Sequence, residues 1–199
     1  MKIIIVGATG TIGKHVTTAL QKDHEIIKAG SKSGDLQVDI SSPVSIENFF
    51  KQAGKFDALI SASGDAHFGP LHALTDTDFR KGVDSKFMGQ VNLVLIGQHY
   101  INPKGSFTLT SGSLAIDPIA YGSAVTAINA AIDGFVRSAA FELENGVRIN
   151  SVAPDVVEDS PAYFPYFPGH IPVKMDKVTQ GYVKSVLGNQ TGQNYLIIE

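Results

Sequence analysis

Cysteine is absent from the 199-residue chain. Without thiols there can be no disulfide, no thiolate metal site and no sulfur nucleophile, so any redox chemistry must be carried by a bound cofactor. A basic run is missing too: 16 Lys and Arg stand against 19 Asp and Glu, and the net charge is -3 with the signs interspersed. Such a surface cannot track a phosphate backbone, and nucleic acid is not an expected partner. No apolar stretch reaches membrane-spanning length, and the first apolar run is cut short by glycine, unlike a secretory signal. The expectation is a cytoplasmic protein without membrane contact. The six histidines, among them His67, His72 and His170, show no ligand spacing, so no metal is expected. Internal repeats and low-complexity tracts are also lacking, and the length suits one domain spanning 1–199.

What is present begins with MKIIIVGATGTIG. The apolar run Ile3 to Val6 is followed by Gly7, Gly10 and Gly13, and then by Ile12, Val16, Ala19 and Leu20 at helical spacing. This reads as strand, tight turn and helix. Gly7 can adopt backbone angles closed to other residues, Gly10 lets a pyrophosphate approach the main chain, and Gly13 allows the helix to pack on the strand. Unpaired amides at the helix start, near Thr9, Thr11 and Ile12, then suit phosphate.

The remainder alternates strands with helices. His24 to Ala29 reads as a second strand, followed by Gly30, Ser31, Lys32, Ser33 and Gly34. An acid at that strand end would bind a ribose 2′-OH, whereas hydroxyl and cationic groups suit a 2′-phosphate. Ser31 and Lys32 belong to the second class, so NADP is expected, with NAD possible. Leu36 to Ile40 forms a short strand that places Asp39 and Ile40 at its end. Ser41 or Ser42 caps a helix with Pro43 in its first turn and Val44, Ile46, Phe49 and Phe50 as its apolar face. Phe56 to Ser61 is a buried strand ending in Ser61, Ala62, Ser63 and Gly64, small residues against which a cofactor can lie.

Thr75 and Asp78 form a capping box that opens a helix from about Asp76 to His99. Ser106 to Thr110 is a strand ending in Ser111, Gly112 and Ser113, and a long helix runs from Gly122 to Leu143. Val147 to Ala153, closed by Pro154, and Asn194 to Ile198 complete about seven strands with five or six helices. The alternation predicts a Rossmann-type α/β fold, a doubly wound parallel sheet with helices on both faces and ligands at the strand C-termini. Residues 155–175 break the rhythm with Tyr163, Phe164, Pro165, Tyr166, Phe167 and Pro168. A loop so apolar is either a lid over a substrate or a packing surface.

These motifs, GATGTIG at Gly7 to Gly13, VDI at Val38 to Ile40, SASG at Ser61 to Gly64, AAIDGFVRSAAFEL from Ala130, RINSVAP from Arg148 and TGQ from Thr191, resemble the short-chain dehydrogenases/reductases in a shortened form. The resemblance implies a nicotinamide cofactor and hydride transfer to or from a small carbonyl or alcohol substrate. It also implies a Tyr-x-x-x-Lys pair, with the tyrosine exchanging a proton and the lysine holding the ribose. Here the ungapped match puts Val125 and Asn129 at those positions and Gly112 at the usual serine position, with Lys86 where an asparagine is common. Candidate catalytic groups are therefore Ser111, Lys86 and Tyr121, the last one helical turn before Val125. Asn129 and Pro154 join the cofactor-binding candidates. Because the usual pair is missing, a non-catalytic dinucleotide sensor stands as the alternative to an oxidoreductase. Small residues on the long helices, together with the resemblance, imply a homodimer or homotetramer.

Overall fold

The computed structural model describes all 199 residues. Its seven strands are β1 (Lys2–Val6), β2 (Glu25–Gly30), β3 (Leu36–Gln37), β4 (Phe56–Ser61), β5 (Ile101–Thr110), β6 (Arg148–Pro154) and β7 (Asn194–Ile197). They form one parallel sheet in the order β3-β2-β1-β4-β5-β6-β7. Chain order reverses between β1 and β4, which opens a crevice above their C-terminal ends, the usual ligand position in such sheets.

Alternation of side chains along the strands splits the core into two layers. Ile4, Val6, Leu59, Phe107 and Leu109 pack on one face beneath α2 (Pro43–Ala53), α4 (Met88–Gly97) and α5 (Ser123–Glu142). Ile3, Ile5, Ala58, Ile60 and Val152 pack on the other beneath α1 (Thr11–Leu20) and α6 (Met175–Leu187). Burial on both faces is why the strands read as continuous apolar runs. No helix is long and apolar enough to cross a membrane.

Several local expectations are met. Ser42 caps α2 through a bond from Ser45 N, with Pro43 at its start. Thr75 and Asp78 form the reciprocal capping box of α3 (Asp76–Gly82). Others need correction. The helix expected over Asp76 to His99 is α3, a π-helical turn over Val83–Phe87, and then α4. The third strand ends at Gln37, because Asp39 turns back to bond Ser41 N and Ser41 Oγ at 3.0 and 2.6 Å. Val44 is exposed, since α2 turns Ile46, Phe49, Phe50 and Ala53 to the core instead. β5 starts five residues earlier than its apolar run, after a register shift opposite Phe56 and Ala58. Lys104 adopts φ 63 in that irregular start.

Candidate active site

The glycine turn lies where expected, and its three glycines do different work. Gly7 has φ 84, and a Cβ there would lie 2.4 Å from the Ala62 carbonyl oxygen. It thus lets β1 and β4 end side by side. A Cβ on Gly13 would lie 2.0 Å from the Gly7 oxygen. Gly13 is a packing residue under the turn and does not line the cleft. Gly10 differs: its Cβ would meet only the Gly7 oxygen, at 3.3 Å. The fold leaves that space open. Gly10 is also the N-cap of α1, which has neither a side-chain cap nor an acid in its first turn, in contrast to α2 and α3. Uncapped amides at a helix N-terminus beside open space form a cradle for an anion.

A cleft of about 660 Å³ runs over this cradle. It gathers Gly7, Thr9, Gly10, Thr11 and Ile12 from the turn, Ser31 and Lys32 from the loop after β2, Asp39 and Ile40, and Ala62 and Ser63 after β4. Thr9 and Ser33 hydroxyls bond at 3.0 Å and join the turn to the serine loop. The Asp39 carboxyl is held below the usual range chiefly by the Ser41 hydroxyl and amide. Ser61 is not in the cleft; it is buried, with its hydroxyl 3.1 Å from that of Ser63. Gly64 lines the cleft too, and so do Asp65 and Ser85, for which the sequence offers no distinct signal.

Ile12 also borders a second cleft, of about 190 Å³, at the ends of β5 and β6. Lys86, Ser111, Gly112, Val125, Asn129 and Pro154 all line it. Lys86 reaches it from the π-helical turn, an irregularity often found at functional sites. Gly64, at φ 108, makes this possible, since a Cβ there would sit 2.6 Å from the Lys86 Cα. Lys86 Nζ donates to Asn129 Oδ1 at 2.7 Å and to the Ser111 carbonyl at 3.1 Å. Burial brings the ammonium down to about 8, partly opposed by Asp133. Two of its three N–H donors are engaged, leaving one for a further acceptor.

Neighbouring groups fix this arrangement. Gly112 admits Asn129, whose Nδ2 would lie 2.7 Å from any Cβ at that position. Buried Gln90 donates to the Lys86 and Thr110 carbonyls at 3.0 and 2.9 Å and accepts from Thr110 N at 2.8 Å, so α4 is stitched to β5. Burial raises the Asp133 carboxyl against the pull of the Ser111 and Ser151 hydroxyls. Ser111 Oγ itself is buried without a hydrogen bond of standard geometry.

Tyr121 does not join the site. It stands in the left-handed region at φ 66, is 49% exposed, and lines neither cleft. The turn ahead of α5 carries its side chain away, so it is withdrawn as a catalytic group. The wall is formed instead by Ser113, by Tyr163 and Phe167 of the aromatic segment, and by Phe68 and Asp155, which carry no site signal in the sequence. The aromatic segment packs over this cleft, with Tyr163 against Phe68 at 5.7 Å between ring centres. Asp159 ties the same segment to α1 by contacts to Lys14 at 3.0 Å and His15 at 2.8 Å.

The family profile described as enoyl-(acyl carrier protein) reductase matches residues 7–166. Among solved structures, the protein lin1944 from Listeria innocua superposes with a TM-score of 0.97 at 45% identity, over 99% of each chain. A small-chain dehydrogenase in complex with NADPH superposes with a TM-score of 0.90 at 26% identity, over 100% of this chain and 96% of that one. Hydroxynaphthalene reductase arp2 of Aspergillus fumigatus is 27% identical over 146 residues, 70% of this chain. The match covers 54% of that reductase, so the chain spans about half its length.

Proposed function

The chain belongs to the short-chain dehydrogenase/reductase family, and on that premise we propose that it is an NADPH-dependent oxidoreductase of small carbonyl or alcohol compounds. The observation that carries this reading is the junction of the two clefts at Ile12, with a phosphate cradle on one side and a half-buried cation on the other. An extended dinucleotide fits that path: Gly10 and the first turn of α1 would hold its pyrophosphate, and Ser31 to Ser33 with Asp39 and Ile40 would hold its adenosine end. Ser31, Lys32 and Ser33 offer hydroxyl and cationic partners to a 2′-phosphate, which favours NADPH over NADH. The NADPH complex of a similar dehydrogenase supports the same choice. Asn129 and Pro154, which line the second cleft, would border the nicotinamide end.

When bound, the cofactor supplies or receives the hydride. The protein's part is positioning and charge. Lys86 directs its free N–H toward the substrate oxygen and stabilises the negative charge that develops there during reduction, as preorganised donors do in water-poor sites. Asn129 and the Ser111 carbonyl hold the ammonium in place, and Gln90 holds the backbone that carries it. Val125, Leu114, Val156 and Phe167 form an apolar wall that excludes water. A volume near 190 Å³ is below the range usual for drug-sized ligands and selects a small substrate. The segment 155–175 acts as a lid, tethered through Asp159. The outer side of α5, with Phe141 92% exposed and open space beside Gly134, supports a homodimer or homotetramer.

The test is NADPH oxidation against a panel of small aldehydes and ketones, with NADPH binding measured in parallel by fluorescence. Turnover of any panel member is the expected result. Binding without turnover would instead favour a dinucleotide sensor, the reading to which Val125 at the usual tyrosine position lends weight. Failure to bind would refute both.

A further inference from the structure

Val125 cannot donate a proton, and the oxidoreductase reading gives Lys86 only the stabilisation of charge on the substrate oxygen, so the proton itself needs another group and a path to solvent. Resting on that reading, we propose that Ser113 exchanges a proton between the substrate oxygen and Asp155, and that His170 is the positioning residue that holds Asp155 for this task.

The three side chains form a continuous chain. Ser113 Oγ donates to Asp155 Oδ1 at 2.8 Å, and Asp155 Oδ2 lies 2.7 Å from His170 Nδ1. A carboxylate only accepts, so His170 Nδ1 carries the hydrogen and Nε2 is left facing Asp117, 3.9 Å away. Ser113 and Asp155 line the substrate cleft, whereas Asp155 and His170 line a separate outer depression with Asp117 and Glu199. Asp155 therefore stands in the wall between substrate and solvent. Side-chain exposure rises outward along the chain, from 7% at Asp155 to 14% at His170 and 74% at Asp117. The edge of the Phe167 ring meets the imidazole at 5.4 Å between ring centres and helps fix it.

The proton count closes in either direction. During oxidation the alcohol proton passes to Ser113 Oγ as the serine proton passes to Asp155 Oδ1, while the hydride leaves for the cofactor. The protonated Asp155 then releases its proton to water in the outer depression. During reduction the same transfers run backwards: Asp155, protonated from water, reprotonates Ser113 as the serine hydroxyl protonates the substrate oxygen. At rest the Ser113 hydrogen points toward Asp155, which leaves an oxygen lone pair to accept the alcohol proton.

Asp155→Asn separates this role from a structural one. Its amide can still bond both neighbours, accepting from one and donating to the other, but it cannot exchange a proton. In the cofactor-free wild type, ¹⁵N NMR should show His170 protonated at Nδ1, the tautomer that a carboxylate acceptor imposes. A wild-type imidazole protonated at Nε2 alone would overturn the Asp155–His170 contact and the proposal with it. In NADPH oxidation with a panel carbonyl, D155N and Ser113→Ala should each lower kcat on the order of 10²- to 10⁴-fold, the range of general acid–base help. NADPH affinity should be unchanged in both, Tm should be near-native in D155N and lower in S113A, which leaves Asp155 Oδ1 without its donor, and the solvent deuterium isotope effect should be larger in D155N. Wild-type kcat in D155N would overturn the proposal, as would a loss in Tyr163→Phe that S113A and D155N do not share. A wild-type protein that binds NADPH but reduces no carbonyl would overturn the oxidoreductase reading and the proposal together; equal turnover by wild type and D155N would overturn the proposal alone.

Discussion

Replacing Lys86 by methionine removes a cation that the fold holds at a cost. Burial lowers the ammonium from 10.5 to about 8. That difference corresponds to about 3 kcal/mol against the charged form at neutral pH. Methionine fills similar volume but leaves Asn129 Oδ1 and the Ser111 carbonyl without their donor, a loss of about 1–3 kcal/mol. The two effects nearly cancel, so K86M should unfold within about 2 kcal/mol of the wild type at pH 7. The pH dependence identifies the cause. Between pH 8 and 10.5 the unfolded chain holds a proton on Lys86 that the folded chain has lost, so wild-type stability rises relative to K86M. The burial penalty is fully present below pH 8 and gone above 10.5, a gain of up to about 3 kcal/mol across the window. Urea unfolding of both proteins at intervals from pH 7 to 10.5 measures the difference directly, because groups common to both cancel. A difference that stays flat across that window would refute the burial argument. Retaining such a cation without a stability gain is what a functional role requires. K86M should accordingly lose turnover while keeping its fold.

Gly10→Ala should fold with a near-native Tm yet weaken NADPH binding at least about tenfold, whereas Gly13→Ala, with its Cβ 2.0 Å from the Gly7 oxygen, should fail to fold; unchanged binding in a G10A titration would sink the cradle. Lys32→Ala should weaken NADPH roughly tenfold or more, the worth of a charge-assisted bond, and leave NADH binding untouched. A wild type that prefers NADH would refute the 2′-phosphate assignment. Asp159→Asn, which breaks the tie to Lys14 and His15, should raise the KM for carbonyl substrate with little change in Tm; an unaltered KM would show that the 155–175 segment needs no tether. Light scattering should find a dimer or tetramer, and a monomer would count against pairing through α5.

The parts legible in the sequence are those set by near neighbours. The GATGTIG turn, the Ser42 cap and the Thr75/Asp78 box each depend on contacts within a few residues, and the two-faced burial of a parallel sheet writes its strands as apolar runs. Errors arose where a short local pattern met a longer-range demand. Asp39 abandoned the third strand because its carboxylate found Ser41 two residues on. Ser61 was read as a cleft residue because small polar residues followed it, but strand alternation buries it and presents Ala62 and Ser63 instead. Tyr121 stands one helical turn ahead of the usual tyrosine position, and the left-handed turn before α5 turns it out of the cleft.

By itself, then, the sequence determined the fold class, the order of strands and helices along the chain, the phosphate cradle and the lack of a tyrosine at Val125, because each is written in periodicity, glycine placement or residue identity. Only the tertiary structure decided which side chains meet around Val125 and Asn129. Lys86 meets Asn129 across 43 positions of chain, and Ser113 meets Asp155 across 42. Such contacts follow from the sheet order that brings the ends of β4, β5 and β6 side by side, and no local pattern encodes them. The same packing that buries Lys86 lowers its affinity for a proton, so the site's chemistry, unlike its cradle, belongs to the folded molecule.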